Sequence, residues 1–85
     1  MRQRKLLWKI RSGTRNVNFK EMVTLVEAYG FRLSRVNGSH HIFVHEDIPE
    51  LINIQNARGK TKPYQVRQFL ALIDRYSLEL EQERN

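Results

Sequence analysis

Phe19, Met22, Val23 and Val26 recur at i, i+3, i+4 and i+7, a spacing that gathers apolar side chains on one side of a helix. Asn18 precedes this stripe as an N-cap. Glu21 stands where a capping-box side chain reaches back, and Gly30 follows as the residue just past the helix end. The pattern predicts a helix over about Phe19 to Tyr29. Beyond Gly30 the period falls to two. "FRLSRV" and "HHIFVHE" flank Asn37-Gly38, whose tolerance of positive φ predicts a type I′ hairpin turn. After Asp47-Ile48-Pro49, "LINIQN" reads as a third strand and "ARGKTK" as a basic loop. Pro63 suits the first position of a second helix. Val66, Phe69, Leu70, Ile73 and Tyr76 give that helix an apolar stripe, with Arg67 and Arg75 toward solvent. Ahead of everything, Leu6, Leu7 and Ile10 fall on one side of a short helix that Ser12-Gly13 would stop.

The predicted order is αβββα, an α+β class, with an optional short N-terminal helix in front. A three-stranded antiparallel sheet must cover its apolar face, and two helices packed on that face are the economical solution. This is the layout of double-stranded RNA-binding domains, with the opposite face or one rim left for a ligand. No repeat or low-complexity linker divides the 85 residues, so 1–85 reads as a single domain, with 1–16 a basic extension and 79–85 an acidic tail. At this length folding buries roughly 60–65% of the extended-chain surface. A surface site is therefore expected rather than a deep pocket.

Charge sharpens the picture. Fifteen Lys and Arg against nine Asp and Glu leave +6, which favours polyanionic partners. Arg2, Arg4, Lys5, Lys9, Arg11 and Arg15 all precede the first acid, Glu21, whereas Glu79, Glu81 and Glu83 crowd the other end. The absence of cysteine excludes disulfide frameworks, thiolate zinc sites and cysteine nucleophiles. No apolar run approaches a membrane span, and "MRQRKLLWKI" lacks the apolar core and cleavage site of a signal peptide. The expectation is a cytoplasmic protein without a membrane role.

All three histidines lie in "VNGSHHIFVHE". Strand alternation puts His40, Ile42 and Val44 on one face and His41, Phe43 and His45 on the other. His41 and His45 then stand roughly 13 Å apart at ~3.4 Å per residue, too far to share an ion, and no Cys or nearby carboxylate pair completes a tetrahedral set. Neither metal nor cofactor is expected. A histidine acting directly on RNA needs neither: imidazole takes a proton from a 2′-hydroxyl, and the growing charge on the attacked phosphate needs cations or backbone amides. Arg35, Arg58, Lys60 and Lys62 sit on the hairpin and the basic loop. Gly38-Ser39-His40 is not a G-x-S-x-G nucleophile elbow, and "GKT" at Gly59 to Thr61 lacks the upstream glycine of a phosphate loop.

The segment "YGFRLSRVNGSHHIFVHE", with "RNVNFKEMVTLVEAYGF" before it and "KPYQVRQFLALIDRYSLEL" after it, resembles the HicA family of bacterial toxins. The resemblance implies a double-stranded-RNA-binding-like fold, metal-independent cleavage of mRNA, and neutralisation by a HicB-like antitoxin in a toxin–antitoxin hetero-oligomer. It also implies that His40 is the catalytic residue, that Gly38 and Ser39 shape the approach to it, and that His41 is structural or supports His40 from behind. Typical members carry a histidine-containing segment after the third strand. This chain has "NIQNARGKTKP" there, so Lys60 and Lys62 are expected to supply the positive character.

The resulting expectation is an endoribonuclease toxin of a type II toxin–antitoxin system. His40 is its general acid or base, and Arg35, Arg58, Lys60 and Lys62 contact phosphate beside Gly38 and Ser39. His45 or a lysine is the candidate donor to the leaving 5′-oxygen. The alternative is a non-catalytic RNA-binding domain of the same fold.

Overall fold

The computed structural model describes residues 2–81, in the order α1 (Arg2–Ser12), α2 (Phe19–Ala28), β1 (Arg32–Asn37), β2 (His40–Val44), β3 (Ile52–Gln55) and α3 (Pro63–Tyr76). The α+β class and the αβββα order stand, with the extra helix present in front.

Local chemistry explains where α2 begins and ends. Asn18 Oδ1 accepts the Lys20 and Glu21 amide hydrogens at 2.9 and 3.4 Å, satisfying two donors of the first turn. Glu21 does not complete the expected capping box, because its carboxylate is held by Lys9 at 3.2 Å. At the other end Gly30 takes φ +93°. Its N–H bonds Glu27 O at 3.0 Å and the Phe31 N–H bonds Val26 O at 3.3 Å, the bond pair of a Schellman motif. This exit turns Phe31, 3% exposed, into the core and starts β1 at the next residue.

The sheet is antiparallel in the order β1-β2-β3, with β2 central. Asn37 pairs with His40, so the hairpin turn is Gly38-Ser39, one residue later than expected. Gly38 alone has positive φ there, +63°, which is the type II′ pattern rather than I′. The I′ pattern occurs instead at Arg58-Gly59, with φ of +54° and +83°. Ser34 is an extra residue in β1 between the Leu33–Phe43 and Arg35–Ile42 pairs.

Pairing across β2 and β3 sorts the faces. His41, Phe43, Ile52 and Ile54 look toward the helices, and His40, Ile42, Asn53 and Gln55 look away from them. Phe43, Ile52 and Ile54 join Met22, Leu25, Val26, Val66 and Phe69 in one buried cluster. Each such side chain contributes about 1.5–3 kcal/mol on full burial. Ile42 is also buried yet lies outside that cluster, as the opposite face requires.

An isolated 11-residue helix would not persist in water, so α1 depends on docking. Leu6 and Ile10 enter the core, while Lys9 and Arg11 tie the helix to Glu21 of α2 and Asp74 of α3. At the free edge of β3 the buried Gln65 side chain of α3 accepts the Gln55 N–H at 2.8 Å. The expected acidic tail begins as packed chain, since Leu80 is 3% exposed; residues 82–85 of it lie outside the described residues. Among the described residues no helix is long and apolar enough to cross a membrane.

Candidate active site at the hairpin end of the sheet

The end of the sheet carrying Gly38-Ser39 is built by three interlocked turns. The Asn56 N–H bonds Ser39 O at 3.0 Å, which seats the start of the basic loop against the hairpin. Ala57 and Lys60 exchange backbone bonds of 2.8 and 3.1 Å around Arg58-Gly59, and Asn56 Oδ1 accepts the Gly59 N–H at 2.7 Å. Gly59 O in turn accepts the Phe19 N–H at 2.8 Å, closing one of the open donors at the start of α2. Arg58 and Lys60 are thereby carried on a stiff turn clasped between the hairpin and α2.

Of the sequence-predicted cations, Arg35, Arg58 and Lys60 belong to elements that meet here. Arg35 pairs with Ile42, two positions along from the Asn37–His40 pair and on the same face as His40. Lys62 follows Lys60 by two residues, at the junction with α3. The Thr61 N–H bonds Val17 O at 2.9 Å, so the chain has turned toward the start of α2, and Lys62 serves as the N-cap position of α3.

His40 is half-buried, and its Nδ1 lies 3.0 Å from Asn53 Oδ1 on the adjacent strand. A carboxamide oxygen only accepts, so Nδ1 carries the ring hydrogen and donates it. Nε2 is left with a lone pair, and among the described residues no hydrogen bond occupies it. This is the arrangement of an imidazole oriented as a base by a neighbouring group. Asn53 was not read from sequence. The signal was a polar residue between Ile52 and Ile54, which alternation places on the His40 face, but register was needed to pair it with that histidine.

The other two histidines have different surroundings. His41 packs its ring on Phe19 with centroids 4.8 Å apart and donates Nδ1–H to Ser39 O at 3.1 Å, bracing the turn against α2. His45 is 8% exposed, stacked edge-on against Phe31, and its Nδ1 accepts the Asp47 N–H at 3.1 Å. It follows the last residue of β2, five positions from His40 and roughly 17 Å away at 3.4 Å per residue, on the opposite face. His45 is thus no donor to a leaving group beside His40.

Electrostatics separates the two ends of the sheet. Among the described residues Arg35, Arg58, Lys60 and Lys62 are in no ion pair. A largely apolar cleft of about 320 Å³, lined by Asn18, Phe19, Lys20, Asn56 and Gly59, opens beside them. At the far end another cleft, of about 240 Å³, is lined by Tyr29, His45, Asp47, Tyr76 and Glu79 among others. Its carboxylates repel phosphate. Glu50 near it is held below the usual carboxylate range, chiefly by the Tyr76 hydroxyl at 2.7 Å and also by Arg75. Among the described residues the hairpin end brings Arg35, Arg58 and Lys60, none in an ion pair, to the histidine whose Nε2 has no hydrogen bond.

Comparison with curated proteins finds no match. A family model described as the HicA toxin of bacterial toxin-antitoxin matches residues 19–74, from the first residue of α2 to within two residues of the end of α3, with the whole hairpin end inside it. That segment is well over half of the chain, and the protein therefore belongs to the HicA family, the toxins of bacterial toxin–antitoxin pairs.

Proposed function

We propose that this toxin is an endoribonuclease that cuts mRNA without a metal, with His40 as the general base and an antitoxin of the HicB type as its neutralising partner. His40 Nε2 takes the proton of a ribose 2′-hydroxyl as the 2′-oxygen bonds to the adjacent phosphorus. The bond from phosphorus to the 5′-oxygen breaks, and that oxygen leaves with a proton from solvent. The products are a 2′,3′-cyclic phosphate and a 5′-hydroxyl, and the imidazolium returns its proton to water. Asn53 holds the imidazole with its hydrogen on Nδ1 throughout.

Charge gathers on the phosphate oxygens in the transition state, where preset positive groups lower the barrier most. Arg35, on the His40 face, and Arg58 and Lys60, on the clasped turn, are the groups for that task, and Gly38 and Ser39 leave the approach open because the turn carries little side-chain bulk. Lys62 acts at most on the outlying strand, through long-range attraction. The single observation that carries this reading is the 3.0 Å bond from His40 to Asn53 on a face with unpaired cations. We also infer that residues 1–85 act as one domain in the cytoplasm.

Incubation of end-labelled mRNA with the protein in excess chelator tests the proposal. New fragments ending in 2′,3′-cyclic phosphate are expected. Retarded RNA with no new fragment would overturn it in favour of an RNA-binding domain of the same fold.

A further inference from the structure

The helix α1 lies outside the segment that defines the family, and its outward side carries the one tryptophan of the chain. Trp8 is 74% exposed, whereas Leu6 and Ile10 are 7% and 2% exposed. At about 100° per residue Trp8 stands opposite the midpoint of those two buried positions, so the ring contributes nothing to docking the helix. Arg4 and Ser12 are its i−4 and i+4 neighbours, with Lys5 and Arg11 at i−3 and i+3, and all four are exposed. A lone exposed aromatic needs no explanation. An indole surrounded by cations on a helix added to the family segment is a different observation.

We propose that α1 is a second RNA-binding element, on which Trp8 stacks an unpaired base of the substrate while Arg4 and Lys5 contact its phosphates. Aromatic faces among basic side chains are the standard means of holding single strands without reading their sequence. This rests on RNA being the polymer that the toxin acts on. It goes beyond that reading by naming a site away from His40, because α1 packs on α2, on the helix side of the sheet.

Charge and geometry select this occupant. A second copy of the chain would bring one basic helix against another. A lipid surface requires an apolar stripe, and the stripe of α1 is turned inward on the core, leaving Trp8 alone to insert. Lys9 and Arg11 are held by Glu21 and Asp74, which fixes the helix and so presents the indole rigidly.

Because the protein has one tryptophan, its fluorescence reports this site alone. The probe is a short unstructured 2′-O-methyl RNA, which lacks the attacking hydroxyl and stays intact. Saturable quenching of Trp8 is expected in the wild type, and gel retardation of the end-labelled probe should show Trp8→Ala weakening affinity about 5- to 100-fold and Trp8→Phe recovering most of it. The fold of each variant is checked by its thermal midpoint, which an exposed position leaves unchanged. If the probe binds, natural RNA is cut at the normal rate, and both Trp8 emission and Trp8→Ala affinity are unchanged, the platform is overturned and the nuclease reading stands. If no RNA is bound or cut, both fall. A change in emission with phosphatidylserine vesicles or an acidic antitoxin, and none with RNA, likewise overturns it.

Discussion

One histidine opens β2 and another follows directly on its last residue, and the chain treats them in opposite ways. At the hairpin end His40 is half-buried, gives its Nδ1 hydrogen to Asn53 and keeps Nε2 unbonded on a face with unpaired arginine and lysine. At the far end His45 is packed against Phe31 and receives a backbone hydrogen on Nδ1, so its own hydrogen lies on Nε2. Asp47 and Glu79 line the cleft at that far end, and Arg75 near it is engaged with Glu50 at 3.0 Å. One end is packed for stability, and the other, in the function we propose, attracts RNA and takes a proton from it. Residue type alone says nothing of this: the same imidazole is a packing element or a base according to which nitrogen the backbone or a neighbouring amide claims.

The largest expected effect breaks the comparison at its functional end. His40→Ala removes the base and should lower RNA cleavage by about 100-fold or more, within the range typical of acid–base groups, with an unchanged thermal midpoint. A gel assay of cleavage beside a melting curve decides it; a loss of both together would make His40 structural. The mirror substitution, His45→Ala, should do the reverse. It empties a buried site and orphans the Asp47 amide, so about 2–4 kcal/mol of stability is expected to disappear in urea unfolding. Cleavage per folded molecule should stay at the wild-type level.

Asn53→Leu sharpens the contrast further. It removes the orienting bond without touching substrate, and kcat should fall roughly threefold to tenfold, the rate equivalent of one ordinary hydrogen bond, with KM unchanged. A change confined to KM would mean that Asn53 contacts RNA.

The smallest effect belongs to the stabilising end. Tyr76 and Arg75 lower the Glu50 carboxyl from its ordinary value of 4.5, so the contribution of Glu50 is complete above that value and lost as pH falls through the lowered one. The Tyr76 hydroxyl is raised above 10.0, mainly by the same carboxylate, and its contribution is lost as pH rises through the raised value. Glu50→Gln should flatten the acid limb of the urea midpoint against pH and leave cleavage near neutrality unaltered. An acid limb identical to wild type would remove Glu50 from this account.

The fold was legible because its periodicities are uninterrupted. The stripe from Phe19 to Val26, the alternation through "HHIFV" and the Pro63 helix start each specify an element locally, and their order leaves one economical layering. The Gly-Ser-His setting that resembles the family singles out His40 as the candidate, and the cleavage assay tests it. What escaped was the long-range part. Glu21 obeys the capping rule in sequence, yet Lys9, twelve residues earlier, claims its carboxylate. The I′ turn belongs to Arg58-Gly59 rather than Asn37-Gly38 because the Asn37–His40 pair and the Asn56 contact with Ser39 set the hairpin register. Asn53 acquires meaning only from the strand pairing that puts it across from Ile42, and the seat of Lys62 at the start of α3 follows from the bond of Thr61 to Val17.

The tautomers of the two end histidines test the account most directly. In a nitrogen-15 correlation spectrum of the neutral imidazole rings, His40 should show its hydrogen on Nδ1 and a bare Nε2, and His45 the opposite. A hydrogen on His40 Nε2, with Asn53 turning its NH2 group to Nδ1, would leave no base facing the substrate and contradict the mechanism.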